Sequence, residues 1–334
     1  MKQKGGYLVI SLDFELMWGM FDKVTIEQYG ENILGVRHSI PEILALFKEN
    51  GIHATWATVG MLMHQNKQSL LTTAPRESLQ PRYDDMCVSA YTHIATTHIG
   101  NNEKNDPYHF APSLVSEIIA TPNQELASHT YSHYYCIDGQ NNRPSVYEAD
   151  LNAQKNIFDT FGIKAKSIIF PRNQTSDTVL TACYEHGFTS YRGTEKHFIY
   201  KPRRDDKQSL IIRGLRLLDA YFNISGHNAI ALDSVGDTSF HNIPASRFLR
   251  PYSKRWRFFE SRRMRRIKNS MTHAAKNNEI FHIWFHPHNF GTNRKENMKN
   301  LNDLIAHFSL LKDTYGMRSR NMAEISEAVT AVQN

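Results

Sequence analysis

Short apolar runs alternate with amphipathic stretches along this chain, and that alternation constrains the fold more than any other feature. Tyr7–Leu12 (YLVISL) is a run of strand formers. Arg37–Asn50 then carries Ile40, Ile43, Leu44 and Phe47 at helical spacing, with Gly51 as a stop. A second strand is predicted at His53–Gly60 and a third at Glu125–Ser128. Ser145-Val-Tyr-Glu148 has the form of a capping box, and Leu151, Ile157 and Phe158 continue that helix to Gly162. Ser167–Phe170 and Phe188–Tyr191 read as strands around a helix at Ser176–His186. Glu279–Phe285 (EIFHIWF) is a further strand, followed by an amphipathic helix over Lys295–Thr314 and a last helix from about Met322. Repeated β-α-β order implies a parallel sheet, open or closed into a barrel.

Two irregular regions, about 61–124 and 192–275, interrupt the pattern, and a single domain over 1–334 with two insertions accounts for them. A strand is predicted inside the second, at Leu210–Leu217. No GxGxxG follows the first strand and no GxxxxGK[ST] occurs, which argues against a dinucleotide or P-loop site. Cys87, Cys136 and Cys183 are odd in number and widely spaced, so a disulfide framework is not expected. Asp13 interrupts the first apolar run too early for a signal peptide, and no run of about 18 apolar residues exists. The expectation is a cytoplasmic protein, peripheral at most to the inner membrane face.

Parallel α/β folds present ligands at the C-terminal ends of their strands. The first strand ends in Asp13-Phe-Glu15, whose carboxylates two apart can face one pocket. The third ends in His129-Thr-Tyr-Ser-His133, two histidines that share a face if that segment is a helical turn. Phe170-Pro-Arg172 ends the fourth, and Phe285-His286-Pro-His288 ends the late strand. Two imidazoles and a carboxylate suit a divalent cation with open positions, and the remaining carboxylate, arginine and histidine supply a base, its orienter and an acid. Taken singly, each has a plainer reading: with 17 His in the chain an HxxxH spacing arises by chance, and His282 with His286 has it too.

In this order, Ser11-Leu-Asp13-Phe-Glu15, His129-xxx-His133, Phe170-Pro-Arg172 and Trp284-Phe-His286-Pro resemble the motifs of the polysaccharide deacetylase (NodB-like carbohydrate esterase) family, in a subgroup tied to capsule and surface-glycan synthesis. The resemblance runs over about residues 7–330. It implies a distorted (β/α)7 barrel. It makes Asp13 the catalytic base, Arg172 the residue that holds it and His286 the general acid. It makes Glu15, His129 and His133 the ligands of a divalent metal ion, zinc first, with cobalt or manganese as alternatives. His288, Trp284 and Tyr131 are candidates for substrate contact. The chain departs from the common pattern in placing Phe14 between its two acids and Pro171 before Arg172.

The implied reaction removes an N-acetyl or O-acetyl group from an amino sugar. The implied partners are an acetylated sugar, a sugar nucleotide or a lipid-linked glycan. An allantoinase-like hydrolase of a small cyclic amide and a non-catalytic glycan-binding relative are the alternative readings. Nucleic acid is not expected, because no recognition motif accompanies the positive charge, a formal +6 overall. The most basic stretch, Lys254–Lys268 (KRWRFFESRRMRRIK), reads as a solvated face or as peripheral contact with an anionic membrane through an amphipathic helix.

Overall fold

The computed structural model describes residues 5–137, 143–201, 210–236 and 239–333. Ten strands form one curled sheet: β1 (Tyr7–Phe14), β2 (Ala54–Thr58), β3 (Gln124–Ser128), β4 (Ser167–Ile168), β5 (Ser190–Tyr191), β6 (Ile230–Ala231), β7 (His241–Asn242), β8 (Arg247–Phe248), β9 (Glu279–Phe285) and β10 (Arg318–Ser319). The main path runs β6-β9-β1-β2-β3-β4-β5-β7, with β10 beside β1 and β8 beside β9. Every pairing is parallel except β6 with β9. This is a half-barrel of the (β/α)7 type: the alternation predicts its parallel sheet, and the family resemblance implies its barrel form.

The sheet's centre is its most apolar part. All eight residues of β1 are buried, as are all five of β2, which is why these strands read as continuous apolar runs. The helix Ile26–Glu49 opens with a reciprocal cap between Thr25 and Gln28 and buries Ile33, Ile40, Ile43 and Phe47 against the sheet. Its backbone comes unusually close to the segment after β9, because a Cβ on Gly35 would lie 2.3 Å from Gly291. Asn32 Nδ2 donates to the His288 carbonyl at 3.3 Å and to Thr292 at 3.0 Å. A glycine contact and two hydrogen bonds thus fix the loop that carries the late histidines.

Three local expectations are corrected. Leu210–Asp219 is a helix, not a strand, since Ile211, Leu215 and Leu218 recur at helical spacing. The helix expected to begin with a capping box at Ser145 starts one residue earlier, at Pro144, with Arg143 as its cap residue. Residues 129–133 are not a helical turn: Thr130 and His133 have φ of 64° and 54°. Within 61–124 the polar stretch is organised into short helices, and Pro112–Ala120 packs on β3 as the crossover helix. Among the described residues no helix is long and apolar enough to cross a membrane.

Candidate functional site

Five parallel strands end around one cleft of about 340 Å³, and its lining includes Asp13, Glu15, His129, His133, His286 and His288. At the floor, Glu15 Oε2 lies 3.1 Å from His133 Nε2 and 3.4 Å from His129 Nε2. One ligand atom from each of the three falls within 4.8 Å of the others, and all three side chains are buried. His129 Nδ1 donates to the Ile169 carbonyl at 2.8 Å, so in the neutral ring Nε2 keeps its lone pair toward Glu15. Among the described residues, the buried His133 Nδ1 has no hydrogen-bond partner. Burial pushes the His133 imidazole toward its neutral form, in spite of the nearby Glu15 carboxylate. Burial also pushes Glu15 upward, but His286 and the hydrogen bonds of His129 and His133 hold it well below the usual carboxylate range. A carboxylate and two imidazoles converging in this way fit a divalent cation.

The histidines are not carried by a regular element, so something must hold their turn. Asp150, on the helix Pro144–Thr160, accepts from Tyr131 N at 2.8 Å and Ser132 N at 3.1 Å, and from the Ser132 hydroxyl. Thr130 Oγ1 accepts from Tyr134 N at 2.8 Å. These bonds fix a backbone that a β-branched residue with positive φ adopts only under constraint. Glu15 is fixed by closeness instead. A Cβ on Gly19 would fall 2.1 Å from its carboxyl carbon, so any larger residue there would push the carboxylate out of place.

Asp13 is gripped by an arginine that the sequence reading did not select. Arg192 donates to Oδ1 and Oδ2, each at 2.7 Å, in a two-pronged pair buried on both sides. Its guanidinium also reaches Ser11 Oγ at 3.0 Å and Asn173 Oδ1 at 3.0 Å, and lies over the Trp284 ring at 4.2 Å. Ser11 in turn meets His282 Nε2 at 2.8 Å, while His282 Nδ1 donates to the Ile243 carbonyl. Burial and then Arg192 push His282 down to about 3, so it stays neutral. Burial alone would raise Asp13, but Arg192, with His129 and His286, outweighs it and leaves the carboxyl ionised.

Arg172 therefore does not fill its expected place as the holder of Asp13. It pairs with Asp22 at 2.5 Å and lies over the Tyr135 ring at 3.8 Å, on the cleft wall. Its backbone is left-handed, with φ of 54°, which aims the side chain away from the floor. The strand-end rule itself points to Arg192, which directly follows the strand predicted at Phe188–Tyr191.

The late strand supplies the opposite wall. His286 Nε2 is 3.8 Å from Asp13 Oδ2 and 3.6 Å from Glu15 Oε1, and its ring is 21% exposed. His288 is buried, stacks on His286 at 4.9 Å and packs edge-on to Tyr29. Burial and then His286 push it down to about 3. Trp284 and Phe248 form an aromatic surface beside His286, with ring centroids 4.5 Å apart. Tyr131 is the other displaced candidate. It is fully buried away from the cleft, and its hydroxyl donates to the Leu70 carbonyl at 3.0 Å. Positive φ at Thr130 turns the chain so that alternate residues no longer share a side.

Comparison with known proteins identifies the family and the fold. Residues 15–191 match the sequence model of the family described as polysaccharide deacetylase. The fold is shared with a protein from Mycobacterium smegmatis, at a TM-score of 0.60 and 12% identity over 100% of this chain and 93% of that one. It is shared with one from Pseudomonas aeruginosa PAO1, at 0.55 and 12% over 97% and 90%. Both structures are assigned as polysaccharide deacetylases. A 4-α-glucanotransferase from Thermococcus litoralis aligns at 0.53 and 11%, over 97% of this chain and 40% of that one. A search of curated proteins gives no match.

Proposed function

We propose that this chain, which belongs to the polysaccharide deacetylase family, is a metal-dependent hydrolase that frees acetate from an acetylated amino sugar of a surface-polysaccharide precursor. The observation that carries the proposal is the adjacency of two kinds of carboxylate. Glu15 sits among imidazole nitrogens, and Asp13 sits on a guanidinium within 4 Å of His286. Such a division assigns the first to ligation and the second to proton transfer.

In this reading Glu15, His129 and His133 hold the cation. Zinc suits two imidazoles and one carboxylate, with cobalt or manganese as alternatives. When bound, such an ion supplies Lewis acidity toward an acetyl oxygen and lowers the pKa of water toward neutrality. Asp13, kept ionised by Arg192, accepts the proton of the attacking water as its oxygen bonds to the acetyl carbon. His286 faces both carboxylates and is partly exposed, so it can take a proton from solvent and give it to the leaving nitrogen as the C–N bond breaks. Acetate and a free amine result. Trp284 and Phe248 offer an apolar face against which a sugar ring can lie. His288 shapes the wall behind His286 as a neutral ring. The completeness of this set favours a catalyst over a glycan-binding relative.

The test pairs metal analysis of the purified protein with acetate release from a panel of N- and O-acetylated sugars. The wild type should carry about one divalent ion per chain and release acetate. Asp13→Asn should keep the metal and lose turnover by about 100-fold or more. His129→Ala should lose the metal. A protein that neither binds metal nor releases acetate from any sugar refutes the proposal.

A further inference from the structure

We infer that an exposed apolar and cationic surface, built from residues 210–224 and 253–265, docks the protein on an anionic lipid bilayer. The first half of this surface is the helix Leu210–Asp219. Its Ile211, Leu215, Leu218 and, one turn beyond, Phe222 recur along one face. Leu210 is 80% exposed, and Leu218 and Phe222 are also open to solvent. The second half is the turn of 3-10 helix Lys254–Phe259, in which Phe258 is 83% exposed and Trp256 and Phe259 lie open beside it. The halves meet: Tyr221 packs on Trp256 and Phe259 at 6.3 and 5.9 Å, and Arg262 lies over Phe222 at 4.2 Å and donates to the Tyr221 carbonyl. Large side chains gathered in this way are unusual on a protein that stays in water.

The charge on the patch selects its partner. Arg213, Lys254, Arg255, Arg257, Arg262 and Arg265 are all exposed in these two segments. Their only acids are Asp219, buried on Arg247, and Glu260, bound to Arg263 and Asn300. Within these two segments, therefore, no exposed carboxylate opposes the six cations. Arg257 and Arg255 lie over their aromatic neighbours, Phe258 and Trp256. Apolar side chains inserted among acyl chains, with arginines at the height of the phosphates, satisfy both features at once. A nucleic acid strand would use the cations but not the aliphatic Leu210, Ile211 and Leu218, which offer no face for stacking.

The predicted continuous amphipathic helix over Lys254–Lys268 is corrected here. Ile267 and Met271 are buried in the core, so the lipid-facing residues are those before Glu260 together with the helix at 210–219. The docking also bears on the cleft. Phe248, on the cleft wall, is six residues from Lys254, which limits their separation to roughly 22 Å. A sugar carried on a lipid would be within reach of a docked enzyme. That consequence rests on the proposed deacetylase reading; the docking itself does not.

The experiment is co-sedimentation of the full chain with vesicles of phosphatidylcholine alone or with about a third phosphatidylglycerol. Variants Phe258→Asp and Arg255→Glu/Arg257→Glu alter only exposed side chains, and their thermal unfolding should match the wild type. The inference expects pelleting with anionic vesicles at low salt, none with neutral ones, and release at high salt. Arg255→Glu/Arg257→Glu removes two cations and adds two anions, so it should weaken partitioning by about 25-fold or more, and Phe258→Asp should weaken it about tenfold or more. Three results would overturn it. One is no pelleting with anionic vesicles at low salt. Another is a stable dimer, broken by Phe258→Asp, that does not bind vesicles. The third is binding of single-stranded oligonucleotides with no binding of vesicles.

Discussion

Replacing Asp150 by asparagine tests how the histidine turn is held, and the structure gives both sign and size. Burial pushes this carboxyl up to about 6 from its ordinary 3.8, although Ser132 and two backbone N–H groups pull it down. Between those values the native state holds a proton that the unfolded chain has released. Stability from this group is therefore complete below about 3.8 and is lost as pH rises through about 6. At about 1.4 kcal/mol per tenfold change in protonation, the ionised group costs the fold roughly 3 kcal/mol, and about half of that is already lost at pH 5. Asparagine never ionises, but its amide can accept only one of the N–H groups of Tyr131 and Ser132. The other is left buried and unpaired, at a cost of about 1–3 kcal/mol. The gap between wild type and Asp150→Asn should therefore narrow by about 1–2 kcal/mol from pH 5 to pH 8. Urea unfolding at the two pH values, on metal-free protein, measures it. A gap that stays constant, or widens as pH rises, would show that Asp150 is not the strained group described here.

Two further changes probe the cleft floor. Gly19→Ala places a methyl within about 2.5 Å of both Glu15 carboxylate oxygens. It should lower metal affinity by about tenfold or more, read by competition with a chromogenic chelator, while β1 and the thermal unfolding of the core stay intact. Arg192→Met leaves Asp13 buried without its cation and should destabilise the protein at neutral pH by about 3–5 kcal/mol. Asp13→Asn in the same chain should recover a large part of that loss, and an additive double mutant in urea unfolding would refute the coupling.

The sequence carried the sheet's centre and the floor of the site with little ambiguity. β1 and β9 are long, buried on both sides and rich in strand formers, so each is legible by itself. Asp13, Glu15, His129, His133 and His286 stand at or just past strand ends and could be located by that rule. Three things were not legible. The helix at 210–219 has apolar residues on a face that meets solvent rather than core, and its apolar run resembles a strand. Tyr131 and Arg172 were misplaced because left-handed backbone at Thr130 and Arg172 redirects side chains in a way that spacing does not reveal. Arg192 follows a strand that the sequence does predict, so its position was the available clue, but no motif links it to Asp13, which only the curl of the sheet brings within its reach. Asp150 and Gly19 act from outside every motif, and only the folded chain brings them beside the turn and the carboxylate that they fix.

The pairing of β1 with β9 joins Tyr7–Leu12 to Ile280–Phe285 in the middle of the sheet. During synthesis, β1 emerges first and waits for a neighbour that is made more than 260 residues later. Glu15, His129 and His133 are all translated before that neighbour, so the proposed cation ligands exist in the nascent chain well before His286, the proposed acid. One flank of a largely apolar strand, buried along its whole length in the fold, stays open throughout that interval, exposed to other chains and to chaperones. Closing so long a loop is entropically slow to begin. Yield of the active protein is therefore tied to the pace at which β9 is delivered.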